Sequence, residues 1–177
     1  MKNLSLWFLI FGMRAFAGEI TIDQVVVGGS GCMPTTTETF LSSKHLSIRV
    51  EPEAYEVISG GRKTCMLVLP AHLSAQTKVK IASIEFKGQH DLSGGGRATI
   101  QAELFAAGTS AKPLSWSMGG ASRGLDTVLL APDDQSAVWS GCGSNDSTSL
   151  RINTSLLVQN GNMKITSMRI KLSVSPC

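Results

Sequence analysis

Apolar and polar residues alternate along most of this chain with a period of two, the mark of strands that turn one face to a core and the other to water. The last run is the plainest: Met168, Ile170, Leu172 and Val174 alternate with Arg169, Lys171 and Ser173. Before it, Ile152, Leu156 and Val158 share one parity, and Asn160-Gly161 lies between the two runs. An Asn-Gly pair between alternating segments predicts a hairpin, because both residues tolerate the positive φ of a tight turn.

Earlier segments read the same way. Ile20 to Val27 is a strand broken by Gly28-Gly29-Ser30-Gly31, a tight turn leading into Cys32. Leu46, Ile48 and Val50 alternate until Pro52, and Tyr55 to Ile58 forms a short strand that pairs with them as a hairpin. Cys65 to Leu69 is a strand stopped by Pro70, Val79 to Phe86 is the next, and Ile100, Ala102, Leu104 and Ala106 share a face opposite Gln101 and Glu103. Val128 to Leu130 is short and ends before Pro132. About eight to ten strands and no long helical period predict an all-β fold, an antiparallel β-sandwich of jelly-roll or Ig-like type, with a closed β-barrel as the alternative.

The first residues break this pattern. Met1-Lys2-Asn3 is a short positive start, Leu4 to Gly12 is an apolar run, and Ala15-Phe16-Ala17 is an A-x-A site, so residues 1–17 read as a signal peptide cut between Ala17 and Gly18. Arg14 interrupts the run before it reaches the length needed to span a bilayer. The expected product, residues 18–177, is a single secreted domain, extracellular, or periplasmic if the host has an outer membrane, with no membrane insertion of the mature chain. Lys2 and Arg14 leave with the signal, so sixteen basic residues become fourteen against thirteen acidic ones. This near-neutral balance, with Glu85 set among Lys78, Lys80 and Lys87, gives no clustered basic face for nucleic acid.

Cys32, Cys65, Cys142 and Cys177 all lie in the mature region, an even number in a chain addressed to an oxidising compartment. Two disulfides are expected. Of the three possible pairings, Cys32 with Cys65 and Cys142 with Cys177 keeps each loop within one half of the chain. No C-x-x-C pair or histidine spacing suggests a zinc site, and no cofactor is implied.

Four stretches carry a resemblance to a family. Val27-Gly28-Gly29-Ser30-Gly31-Cys32, Arg62-Lys63-Thr64-Cys65-Met66-Leu67, Trp139-Ser140-Gly141-Cys142-Gly143 and the terminal strand ending at Cys177 resemble the secreted proteins grouped as domain of unknown function family 4360. The resemblance spans nearly the whole mature chain and implies secretion, a β-rich fold and cysteines at these four positions. It implies no activity. Gly141 stands where proline is expected to be common in the family.

No reaction is specified by the motifs considered. Ser30 in Gly29-Ser30-Gly31 fails the G-x-S-x-G pattern because Cys32 takes the place of the second glycine, and no Lys-Ser or Lys-Thr follows for a phosphate loop. His45, His72 and His90 are dispersed, and His90 and Asp91 would face opposite ways on a strand. Asp133-Asp134 lacks the alternating spacing of a calcium loop, and Glu51 and Glu53 flanking Pro52 read as a charged turn. The expectation is therefore a protein that is not an enzyme: an interaction or surface-structural protein, with a carbohydrate-binding module and a small hydrolase or inhibitor as alternatives. Its partners would be an unknown protein or a cell-surface polysaccharide. Trp116, in a Ser- and Gly-rich stretch, is expected at the surface, and Trp139, near Cys142, in the core against a disulfide; both are candidate ligand platforms through their apolar faces. Asn145 and Asn153 match the N-glycosylation sequon.

Overall fold

The computed structural model describes residues 20–32, 36–41, 45–143 and 147–177. The proposed signal peptide with its Ala17/Gly18 cut, and Asn145, lie outside the described residues. Within them the chain forms thirteen strands and no helix: β1 (Ile20–Ile22), β2 (Val26–Gly28), β3 (Thr36–Leu41), β4 (His45–Glu51), β5 (Glu56–Val57), β6 (Gly61–Leu73), β7 (Thr77–Asp91), β8 (Arg97–Ala106), β9 (Thr109–Ser110), β10 (Leu114–Gly119), β11 (Arg123–Leu130), β12 (Ser147–Gln159) and β13 (Asn162–Pro176).

These strands make two antiparallel sheets. The first runs β1-β6-β12-β8-β10, with β2 also on β6 and β9 on β8; the second runs β11-β7-β13-β4-β3, with β5 also on β13. The sheets do not close into a barrel, so the fold is the expected all-β sandwich. Alternation explains the core: Cys65, Leu67 and Leu69 of β6, Leu150, Ile152 and Leu156 of β12, and Ile100 and Leu104 of β8 meet Ile84 and Phe86 of β7 and Met168, Ile170 and Leu172 of β13. Thr166 is an extra residue in β13 opposite β7, which resets parity so that Met163 and Ile165 also point inward. Its hydroxyl donates to the Lys87 carbonyl at 3.2 Å beside the shifted ladder.

Pairing departs from several expectations. Asn160 (φ 57°) and Gly161 (φ 157°) do make the turn, but β12 and β13 lie in different sheets, so the turn is an arch between layers and not a hairpin. Each strand already has both edges filled, β12 by β6 and β8, and β13 by β7 and by β4 with β5. For the same reason β4 and β5 are not a hairpin; both lie along β13.

Nor does Pro70 stop its strand, because β6 continues to Leu73. The Pro70 carbonyl accepts from the Asp23 N–H at 3.0 Å, in the break between β1 and β2. The side on which proline lacks a donor therefore faces an interrupted edge, where no ladder bond is lost. The same break splits the expected Ile20 to Val27 strand in two.

Cys32 is joined to Cys65 and Cys142 to Cys177. The first pair is buried and the second lies at the surface.

Candidate functional site

The outward face of the first sheet carries a groove of about 340 Å³, within the range of ligand clefts. β6 supplies Arg62, Thr64 and Met66, β8 supplies Gln101 and Glu103, and β12 supplies Asn153 and Ser155. Register brings them together: Asn153 lies opposite Met66 on one side and Glu103 on the other, and Ser155 lies opposite Thr64 and Gln101. These are the outward members of alternating strands, so their inward neighbours Cys65, Ala102 and Thr154 belong to the interior.

One wall is the glycine turn. The Ser30 hydroxyl accepts from the Thr64 N–H at 3.1 Å, and the Gly31 N–H donates to the Thr64 carbonyl at 2.8 Å. Gly29 has φ 109°, and a Cβ there would stand 2.5 Å from the Thr64 oxygen, so only glycine allows this approach. Ser30 is thus a structural turn residue, bound to backbone.

The floor is braced from within. The Thr154 hydroxyl donates to the Cys65 carbonyl at 3.2 Å and accepts from the Tyr55 hydroxyl at 2.9 Å. Tyr55 is fully buried, and burial pushes its phenol well above the ordinary tyrosine range. With the Cys32–Cys65 disulfide, these contacts hold the central strands from below.

The groove's polar groups remain available. Arg62, Glu103 and Asn153 make no side-chain hydrogen bond or ion pair among the described residues, and Gln101 receives only a long 3.5 Å contact from Ser155. One cation and one carboxylate leave the groove formally neutral. Met66, 39% exposed, adds an apolar surface.

A second cavity, about 480 Å³, lies on the outer face of the other sheet and includes Glu56, Gln89, Asp91, Arg123, Leu125 and Lys164. Its charges are mutually satisfied: Arg123 pairs with Asp91 at 2.7 Å and Lys164 with Glu56 at 3.7 Å. Hydrogen bonds from Ser93, and then the Arg123 guanidinium, hold the Asp91 carboxyl below its ordinary range. The first groove is therefore the better candidate site, since its groups have bonds to give.

The tryptophans do not behave as expected. Trp116 lies on the inward face of β10, half-buried against the core, because Ser115 and Ser117 take the outward positions. Trp139 is not packed in the core; it bridges to Lys80 in the other sheet, with Lys78 and Lys80 Nζ at 5.0 and 4.8 Å from its ring. The two rings belong to different sheets, and neither is among the groove residues. Asp133 accepts from the Ser136 N–H at 2.6 Å and caps a turn, Asp134 faces Lys80 at 3.8 Å, and Glu51 binds Arg49 at 2.5 Å. No group of three metal-ligating side chains occurs among the described residues. Asn153, the second sequon residue, lines the groove half-buried.

His90 does face away from Asp91, and it finds other partners. Its Nδ1 meets the Asp126 carboxylate and its Nε2 lies 3.1 Å from the Ser122 hydroxyl. Gly120-Ala121-Ser122-Arg123-Gly124 has the G-x-S-x-G spacing that Ser30 lacks, a signal in the sequence that the test of Ser30 alone misses.

Residues 18–175 match the family model described as a domain of unknown function, DUF4360, and the chain belongs to that family. No curated protein matches its sequence. Among solved structures it is similar to TmCBM61 in complex with beta-1,4-galactotriose (9% identity, 90% of this chain and 88% of that one, TM-score 0.31). It is also similar to the mannan-recognising carbohydrate-binding module TmCBM27 (8%, 86% and 98%, TM-score 0.33). A third is the CBM36-1 domain of a multidomain xylanase from the hindgut metagenome of Trinervitermes trinervoides (11%, 83% and 96%, TM-score 0.27). Likeness at these scores carries no argument about function.

Proposed function

We infer that this is a secreted interaction protein whose groove on the first sheet binds a neutral, polyhydroxylated ligand of the carbohydrate class, such as a cell-surface polysaccharide. The observation that carries the reading is the set of unengaged side chains there, Arg62, Glu103 and Asn153 beside Gln101 and Thr64. A sugar hydroxyl both donates and accepts, so vicinal hydroxyls suit a surface that mixes amides, a guanidinium, a carboxylate and hydroxyls. Formal neutrality disfavours polyanions such as nucleic acid, and Met66 offers an apolar contact for the C–H face of a ring. The groove acts by binding, and its backing of a disulfide and the Tyr55–Thr154 bond keeps it preorganised. Secretion rests on the signal-like start and on disulfides that suit an oxidising compartment.

Retention on insoluble polysaccharides and wall preparations tests the reading. The oxidised protein should be held by at least one of them, and Gln101→Ala with Glu103→Gln should lose about tenfold or more in affinity while melting like the parent. No retention on any preparation would turn the search to a protein partner. That second reading is favoured by Leu125 and Leu129, 85% and 60% exposed on the edge strand β11.

A further inference from the structure

The cluster at the edge of the second sheet is independent of the groove and has the bonding order of a nucleophile, a base and its orienter. Gly124 lies directly opposite His90 in the β7–β11 ladder, and a Cβ there would stand 3.6 Å from the ring's Cε1. The imidazole therefore passes close over a residue with no side chain and reaches both ways along the edge. Ser122 and Asp126 are the residues two before and two after Gly124, about 7 Å away on the same side of an extended chain. The backbone holds them in register: the Leu92 N–H donates to the Ser122 carbonyl at 2.7 Å, and Asp126 lies opposite Gly88.

Asp126 can only accept when ionised, so the proton it shares belongs to Nδ1, and a ring with its one proton there has Nε2 as the acceptor for the Ser122 O–H. His90 is 8% exposed, whereas Ser122 is half-buried and follows the surface turn Gly119-Gly120-Ala121. A shallow depression of about 640 Å³ borders that turn, lined by Gly96, Arg97, Gly119, Gly120, Gln159 and Asn160.

We propose that Ser122 and His90 are catalytic residues, with Asp126 as their positioning residue, for hydrolysis of esters. Ser122 Oγ bonds to the acyl carbon as its proton passes to His90 Nε2. The bond from that carbon to the leaving oxygen breaks, and the departing alcohol takes the proton from His90. Water then attacks the acyl-serine, gives a proton to His90, and Ser122 Oγ recovers that proton as the carboxylic acid leaves. This sequence consumes one water and needs no other reactant.

The test is reaction of the folded, oxidised protein with an alkyl fluorophosphonate, followed by intact mass and peptide mapping, since phosphonylation of serine displaces fluoride and stops there. The expected result is one adduct, on Ser122, absent in Ser122→Ala. Its rate should fall at least about 100-fold in His90→Gln. Asp126→Asn should slow it comparably and change the pH profile, because an amide no longer fixes the tautomer. If His90→Gln does not fold, Asp126→Asn and the wild-type site map still decide. No adduct on folded wild type, or labelling that ignores these substitutions, would overturn the proposal and leave the cluster as a clamp between β7 and β11. Neither result bears on the groove.

Discussion

The Tyr55 hydroxyl donates to Thr154 Oγ1, 2.9 Å away, and this one bond joins the margin of the second sheet to the centre of the first. Tyr55 sits just before β5, where its carbonyl accepts from the Ile165 N–H at 2.9 Å, and its ring crosses the interior. Gly31 lies against that ring so closely that a Cβ would collide with it. The groove's floor, the glycine turn and the buried disulfide thus share one support.

Tyr55→Phe should cost about 1 kcal/mol, since Thr154 keeps its bond to Cys65 and only one buried hydrogen bond is lost. Tyr55→Ala should cost about 3–5 kcal/mol, the range for deleting a buried aromatic ring. Denaturant midpoints check both, and equal losses would contradict the assignment of the larger share to packing.

Tyr55 is the chain's one tyrosine, so phenolate absorbance reports it alone. Its folded pKa is raised above the ordinary 10.0, so the folded state favours the protonated phenol. Its contribution to stability is then whole below the unfolded pKa and declines as pH rises above it. Phenolate should form only as the protein unfolds in alkali; titration near 10.0 with the fold intact would contradict burial.

The two disulfides should differ in access more than in worth. They close loops of similar span, 33 and 35 residues apart in sequence, and removal of either by Cys→Ser pairs should cost about 3–4 kcal/mol. Cys32 and Cys65 are 5% and 1% exposed while Cys142 and Cys177 lie at the surface, so mild thiol treatment should open Cys142–Cys177 first. Alkylation and peptide mapping after partial reduction would show the order.

Trp116→Ala and Trp139→Ala should separate clearly. The first removes a ring packed on the core and should cost on the order of 2–3 kcal/mol, below the full core value because Trp116 is half-buried. The second loses two cation–π contacts and should cost about 1 kcal/mol. Thermal melts measure the difference, and folded Trp139→Ala should retain polysaccharide as the parent does.

The architecture was readable because alternation is local: Met168 to Val174 or Ile152 to Val158 show their inward face without any partner. Pairing was not. The Asn160-Gly161 turn depends on two φ angles, whereas the partners of β12 and β13 depend on which edges remain open, a property of the assembled sheets. The groove was hidden for the same reason, since Thr64, Gln101 and Asn153 are ordinary outward residues until β6, β12 and β8 lie side by side. Trp116 misled because a Ser- and Gly-rich context suggests exposure, while strand parity decides it. Ser122 was missed: its spacing to Gly120 and Gly124 is in the sequence, but its bond to His90 is a product of the ladder between β7 and β11.

The most direct test of the binding groove is a nuclear magnetic resonance titration of the isotope-labelled, oxidised protein with neutral oligosaccharides taken from whichever polysaccharide retains it. The side-chain amides of Gln101 and Asn153 and the backbone amides of Thr64, Met66 and Glu103 should shift together and saturate together, with Gln89 and Leu125 on the opposite face unmoved. Shifts confined to that opposite face, or none at all with a retained polymer's fragments, would contradict the account.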